Sequence, residues 1–208
     1  CCLVFGTNDE VVNVKAEQVG SGIMQQSLIG LAKDFNVYLV AGTIALKAPD
    51  GRNFAASLFI SPGGEVLGQY NKIHLFDVEV SDGIGSYRES DATHPGQDIM
   101  VIDTPIGRIG MAVCYDLRFS ALFRAMSERK ADIIVLPSAF TKLTGQAHWE
   151  VLIRSRAIEN QCYFIGSNQG GTHVNGRETW GQSMIVNPWG EIETQIDSGV
   201  GSICCDYQ

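Results

Sequence analysis

A chain of 208 residues, 45% of them hydrophobic, can bury one sizeable core, and its formal net charge of -8 lacks the basic face that nucleic acid or an anionic membrane rewards. No apolar run reaches the ~18 residues of a membrane span and no charged segment precedes an apolar stretch at the start, so a soluble cytoplasmic protein is expected. The six cysteines fall as Cys1-Cys2, Cys114, Cys162 and Cys204-Cys205, without C-x2-C spacing or matching histidines, and read as reduced thiols rather than a disulfide frame or a metal site.

In chain order, residues 23–34 place Ile23, Leu28, Leu31 and Ala32 on one helical stripe. Val37 to Leu46 is a nearly continuous β-branched run, which predicts a strand buried on both faces. Ser57 to Tyr70 reads as a hairpin turning at residues 61–64, and 77–98 as a loop rich in Asp, Ser and Gly. A second hairpin turns at Thr104-Pro105-Ile106-Gly107, and its return arm, Ile109 to Val113, stops at Cys114 before a helical pattern from Phe119 to Lys130. Asp132–Leu136 predicts a buried strand, Gln146–Asn160 a helix, Cys162–Ser167 a strand and Ser183–Ile196 a last hairpin, with Cys204 to Gln208 read as part of a further strand.

Two of these hairpins repeat one another. SLFISPGGEVLGQY at 57–70 and SMIVNPWGEIETQI at 183–196 share Ser, Pro, Gly, Glu and Gln in register, and Asn36 to Val40 echoes Gln161 to Ile165 after a helix in each case. Duplicated helix-strand-hairpin units predict an α/β fold of two similar halves: two sheets face to face with helices outside, a four-layer α-β-β-α sandwich formed by residues 1–208 as one domain.

Chemistry concentrates at two segments. Cys114, at a strand-to-helix corner in Ala112-Val113-Cys114-Tyr115-Asp116-Leu117-Arg118-Phe119, is placed where backbone N–H groups and a helix start depress a thiol pKa. The alternative is a small buried hydrophobe, as free cysteines often are. Arg118 is a candidate for a substrate carboxylate, or a partner for Asp116 or Glu150. Lys72, in Tyr70-Asn71-Lys72-Ile73-His74-Leu75-Phe76-Asp77, is flanked by apolar and aromatic residues that would desolvate its ammonium, leaving a cation able to stabilise an oxyanion or protonate a leaving amine. His74 reads as a structural hydrogen-bonder.

YNKIHLFD and AVCYDLRF, with GQAHWEVLIRSRAIENQCY and GQSMIVNPWGE downstream, resemble the signature segments of the nitrilase superfamily, and most closely its Nit branch of ω-amidases and deaminated glutathione amidases. The resemblance covers essentially the whole chain. It implies Cys114 as nucleophile, and Lys72 with the Tyr115 backbone N–H as the oxyanion site. It also implies Glu89 as the carboxylate that holds Lys72, with Glu79 as the rival, and no cofactor. Arg118 and Trp149, the latter in His148-Trp149-Glu150 and equally readable as a core residue, are the candidates for substrate contact, the substrate being a small carboxylate-bearing amide and the assembly a homodimer or higher homo-oligomer.

The chain departs from the pattern in three places. Ser120 and Ala121 stand where the branch usually has Pro and Glu. The family's general-base Glu, at a strand end in a Pro-Glu motif, aligns just before residue 1 when Ala16-Glu17 and Gly20-Ser21-Gly22 are matched without gaps; a gapped match puts Thr7 there instead, and Asp9 or Glu10 are distant substitutes. The family's basic tail beyond Asp206 is also missing. A chain incomplete at both ends is therefore expected, with a catalytically inactive binding or assembly module as the alternative to an amidase and a redox-sensing thiol protein as a further rival.

Overall fold

The computed structural model describes residues 3, 9–80, 85–197 and 199–207. In chain order the elements begin with α1 (Asp9–Lys15), α2 (Ile23–Asp34), β1 (Leu39–Val40), β2 (Ile44–Lys47), β3 (Asn53–Ile60), β4 (Val66–Asn71), β5 (Asp77–Val80) and β6 (Gly85–Arg88). They continue with β7 (Met100–Thr104), β8 (Gly107–Met111), α3 (Ser120–Glu128), β9 (Ile133–Ser138), α4 (Lys142–Asn160), β10 (Tyr163–Asn168), β11 (Gly170–Thr172), β12 (Glu178–Trp180), β13 (Met184–Val186) and β14 (Ile192–Gln195).

The alternation of side chains along the strands sets the layers. Strand β9 sends Ile134 and Leu136 to one face, where they meet Phe123 of α3 and Trp149, Ile153 and Ala157 of α4. It sends Ile133 and Val135 to the other face, where they meet Phe59 and Tyr70 of β3 and β4. Strand β3 in turn gives Ala56, Leu58 and Ile60 to its own outer side, against Leu28 and Ala32 of α2. Helix α2, the sheet built on β3, the six-stranded sheet β14-β13-β10-β9-β8-β7, and helices α3 and α4 therefore stack as four layers, the sandwich expected from the repeat.

The repeat is visible in detail. Strand β1 pairs antiparallel with β3 through Val40 and Phe59, as β10 pairs with β13 through Ile165 and Ile185. Both hairpins shift register at the same aligned place, between Phe59 and Ile60 and between Ile185 and Val186. Both close with the same bonds, Gly64 N–H to Ser61 O and Gly190 N–H to Asn187 O, and both glycines sit in the left-handed region at φ 82 and 86. The helices that precede β1 and β10 end on left-handed residues too, Asn36 at φ 51 and Gln161 at φ 52.

Three expectations change, and one strand pair appears where none was expected. The run from Val37 to Leu46 is two short strands, because Gly42 turns left-handed at φ 56 between them. The 77–98 segment contains the β5–β6 pair and a 3-10 turn at Glu89–Asp91 rather than loop alone. The β11–β12 pair, with a Gly-Gly start and no apolar alternation, gave no strand signal. Residues 201–207 form no strand; Tyr207 instead packs edge-on against Tyr163, with ring centroids 5.0 Å apart. Among the described residues, no helix is long and apolar enough to cross a membrane.

Candidate active site

Strands β8, β9 and β10 are mutually parallel, linked by crossovers through α3 and α4, and their carboxyl ends open on the same side. Such an edge is where open α/β sheets bind ligands. A cavity of about 670 Å³ lies there, lined by Cys114 beyond β8, by residues 137–141 at the end of β9, and by Asn168 and Gln169 at the end of β10. Its opposite wall comes from the first half of the chain, including Lys72, Phe76, Tyr87 and Glu89.

Cys114 is half-buried and begins a 3-10 turn, Cys114–Arg118, with its own φ at 50. A non-glycine residue in this region costs on the order of 1–2 kcal/mol, a strain that persists where surrounding structure enforces it. The Asp116 N–H closes the turn on Val113 O at 3.1 Å, and the N–H groups of Cys114 and Tyr115 before it have no acceptor within the turn. They therefore form a local positive field beside the thiol.

What enforces the corner is Asp116, which is fully buried. Its Oδ2 accepts from Val113 N–H at 2.9 Å and from the Tyr70 hydroxyl at 2.8 Å. Its Oδ1 accepts from His74 N–H at 2.9 Å and lies 2.7 Å from His74 Nδ1, while the His74 ring stacks on Phe119 at 3.7 Å. One carboxylate thus ties the cysteine corner to the segment on either side of Lys72. Burial and the nearby Asp116 charge push the Tyr70 hydroxyl pKa well above its ordinary value, so it remains a donor.

Lys72 follows β4 directly, is 3% exposed, and points its Nζ at Glu89 Oε2, 2.5 Å away. Phe76 N–H donates to the same oxygen at 2.7 Å. Burial alone would lower the Lys72 pKa; the charges of Glu89 and of Cys114 and the Glu89 hydrogen bond outweigh it, and the pKa stands above the ordinary lysine value. Lys72 is therefore a fixed cation whose field reaches the thiol.

The family model for carbon-nitrogen hydrolase matches residues 5–202. The chain belongs to the carbon-nitrogen hydrolase family. It is 46% identical over 191 residues to a deaminated glutathione amidase of Yersinia enterocolitica, covering 90% of this chain and 66% of that protein, so the chain spans about two thirds of its relative's length or less. Among solved structures it resembles Saccharomyces cerevisiae Nit3, a member of branch 10 of the nitrilase superfamily, with TM-score 0.82, 28% identity, and 94% and 69% of the two chains covered. It also resembles an amidase variant from Nesterenkonia sp. AN1 that carries acrylamide at its active site cysteine, with TM-score 0.75, 25% identity, and 92% and 71% covered.

Within this member of the carbon-nitrogen hydrolase family the expected residues separate cleanly. Cys114, Lys72, Glu89, Tyr115 and Arg118 all line the cavity. Glu79, the rival for the lysine-holding role, sits exposed on β5 opposite Ser86 and is not among the lining residues. Trp149 is corrected: it is fully buried between Phe140 and the outer core, its indole N–H donating to Gln182 O at 2.7 Å, because the third residue after Gln146 on α4 faces the sheet and not the cavity. Arg118 pairs with neither Asp116 nor Glu150; its guanidinium lies 3.3 Å from His148 Nδ1 and over the rings of Tyr115 and Phe140. Ser120 opens α3 without a side-chain cap.

Thr7 lies outside the described residues, as do the side chains of Asp9 and Glu10. Among the described residues the cavity has one lining carboxylate, Glu89, and no cluster of His, Cys, Asp and Glu is arranged to hold a metal ion. The residue that sequence reasoning missed is Asp116. Its signal was a charge placed directly after an apolar strand, two residues from the cysteine, and that signal was read as a surface partner for Arg118. Glu17, aligned on the family's Ala-Glu segment, has a structural role: its carboxylate accepts from the N–H groups of Met24 and Gln25 at the start of α2.

Proposed function

We propose that this carbon-nitrogen hydrolase attacks small carboxylate-bearing amides through Cys114. The observation that carries the reading is a strained, half-buried thiol beside a buried lysine whose charge is held by Glu89. In this reading Cys114 Sγ adds to the amide carbonyl carbon and the oxyanion lies between Lys72 Nζ and the Tyr115 N–H. The carbon-nitrogen bond then breaks, the nitrogen leaves with a proton as ammonia or an amine, and a thioester remains on Cys114. Water releases the acid and restores the thiol. Arg118, on the cavity wall and stacked between two rings, is the contact for a substrate carboxylate. The names of the relatives make deaminated glutathione the first substrate to try, and the resemblance of the motifs to ω-amidases adds α-ketoglutaramate.

The deciding experiment follows ammonia or amine release together with intact mass. Steady release that disappears in Cys114→Ala supports the amidase; no release and no mass adduct with any amide overturns it. A second reading, a binding module that acylates without turning over, is favoured by one observation: Glu89, the carboxylate found among the described lining residues, is already engaged by Lys72 and Phe76. One equivalent of amine released per thiol, with a persistent thioester mass, would select it. Homodimer formation belongs to the same proposal, supported by the exposed apolar row Leu143, Val151 and Ile158 along α4, and is read by sedimentation.

A further inference from the structure

Arg52 is not among the residues that line the cavity, yet it holds the turn that presents Glu89. It ends the tight connection between β2 and β3, where Gly51 sits left-handed at φ 87, and the chain enters β3 at the next residue, Asn53. Arg52 Nη1 donates to Ser90 O at 2.8 Å and to Thr93 O at 3.2 Å, carbonyls 38 and 41 residues further along the chain. The first lies inside the 3-10 turn Glu89–Asp91 and the second just beyond it. Asp50 aims the guanidinium: its Oδ2 accepts from Nε at 2.7 Å and lies 2.6 Å from Nη2, and His94 Nδ1 is 2.8 Å from the same oxygen.

The backbone around the turn completes the attachment. Asn53 N–H donates to Ala92 O at 3.0 Å and His94 N–H to Asn53 O at 2.7 Å, so the stretch after Glu89 runs beside the start of β3. Glu89 O accepts from the Ala92 and Thr93 N–H groups at 3.3 and 2.9 Å, which closes the turn on itself. On the far side Asp77 Oδ1 accepts from Ser90 N–H at 3.0 Å, and the Glu89 carboxylate meets Lys72. Lys72 is 3% exposed, and a cation so buried keeps its place only while a carboxylate stays against it.

We propose that Arg52 is a positioning residue for the reaction at Cys114: through the Ser90 and Thr93 carbonyls it fixes Glu89, and through Glu89 it fixes Lys72. The planar guanidinium faces Asp50 with one edge and two carbonyls with another, which a lysine ammonium on its flexible stem does not reproduce. The role of Lys72 rests on the amide-hydrolase reading; the contacts of Arg52 do not.

The test uses the full chain with Arg52→Gln and a readout that needs no amide. The charge of Lys72 favours the thiolate that iodoacetamide attacks, so the alkylation rate of Cys114 at pH 7, followed by peptide mass, should fall about 5- to 10-fold. For amine release, kcat should fall about 10-fold with KM changed less than about 2-fold, as a small misplacement far from the chemistry does. In a Glu89→Gln background, adding Arg52→Gln should leave the alkylation rate within about 2-fold, since the two residues act as one unit. An alkylation rate unaffected by Arg52→Gln, or the same fold-loss in both backgrounds, overturns the proposal, because Arg52 would then only stabilise the loop. Should Arg52→Gln fail to fold, Asp50→Asn decides in its place: it releases the aim of the guanidinium and should slow alkylation about 2- to 3-fold, but not in Glu89→Gln, and an unchanged rate overturns the proposal. If alkylation follows the expected pattern and no amide releases amine from the unmodified chain, the amidase reading falls and the positioning of Lys72 by Arg52 stands. If amine is released and alkylation ignores Arg52, the reverse holds.

Discussion

The two halves of the repeat share a scaffold and divide the labour. Hairpins β3–β4 and β13–β14 have the same turn bonds, the same left-handed glycine and the same register shift. Yet β4 runs on into Asn71 and the buried Lys72, whereas the second hairpin ends in Ile196 and Asp197 and offers no cation there. Conversely, β10 is a six-residue parallel strand whose end supplies Asn168 to the cavity wall, while its counterpart β1 has two residues and breaks at Gly42. Duplication supplied the layers; the site arose where the halves stopped matching.

The largest expected effect falls on the unmatched side. Cys114→Ala removes the sulfur that would carry the thioester and should lower amine release in a single turnover by at least on the order of 10⁴-fold. Lys72→Met should cost about 10²- to 10³-fold in the same assay while Cys114 still acylates slowly, as loss of one oxyanion donor does. Lys72 also makes a pH prediction. Its pKa is raised on folding, so its stabilising contribution is complete below the ordinary lysine value of 10.5 and is lost as pH climbs through the higher folded value. Denaturation at pH 7 and above pH 11 should show wild type losing its advantage over Lys72→Met at the alkaline end.

Asp116→Asn is next. It places an amide donor against the Tyr70 hydroxyl, Val113 N–H or His74 N–H and should destabilise by about 3 kcal/mol, a Tm fall of roughly 6–12 °C by calorimetry. The scaffold itself is tested by Gly64→Ala and Gly190→Ala, each expected to cost about 1–2 kcal/mol for a Cβ in the left-handed region. Near-equal costs by urea melts would uphold the equivalence of the hairpins; a difference above about 2 kcal/mol would break it. The smallest effect is at Cys114, where Cys114→Gly should be more stable than Cys114→Ala by about 1 kcal/mol, or 2–4 °C in Tm, because glycine relieves the corner.

Much of this was legible in the residues. The continuous apolar run Ile133 to Leu136, the helical spacing after Phe119 and the aligned SPGG and NPWG turns carry the layers, because each depends on neighbours within a few positions. The chemistry-bearing residues were legible for a different reason: Cys114 ends an apolar strand and Lys72 lies inside an apolar segment, and a polar group in such a setting calls for an explanation. Trp149 stayed open between pocket and core because a helix pattern gives spacing but not which face meets the sheet; full burial and the bond to Gln182 decide for the core.

The sequence by itself determined most of the element types, the duplicated architecture and which cysteine and lysine are the candidates for chemistry, set by local periodicity and by motifs a few residues long. Tertiary structure alone decided that Glu89 and not Glu79 reaches Lys72, that Asp116 clamps two segments 42 residues apart at His74 and its own corner, and that Arg177 comes to line the same cavity as Arg118. Those are pairings of distant residues across layers, fixed by how the two sheets pack, and no local pattern in the chain encodes them.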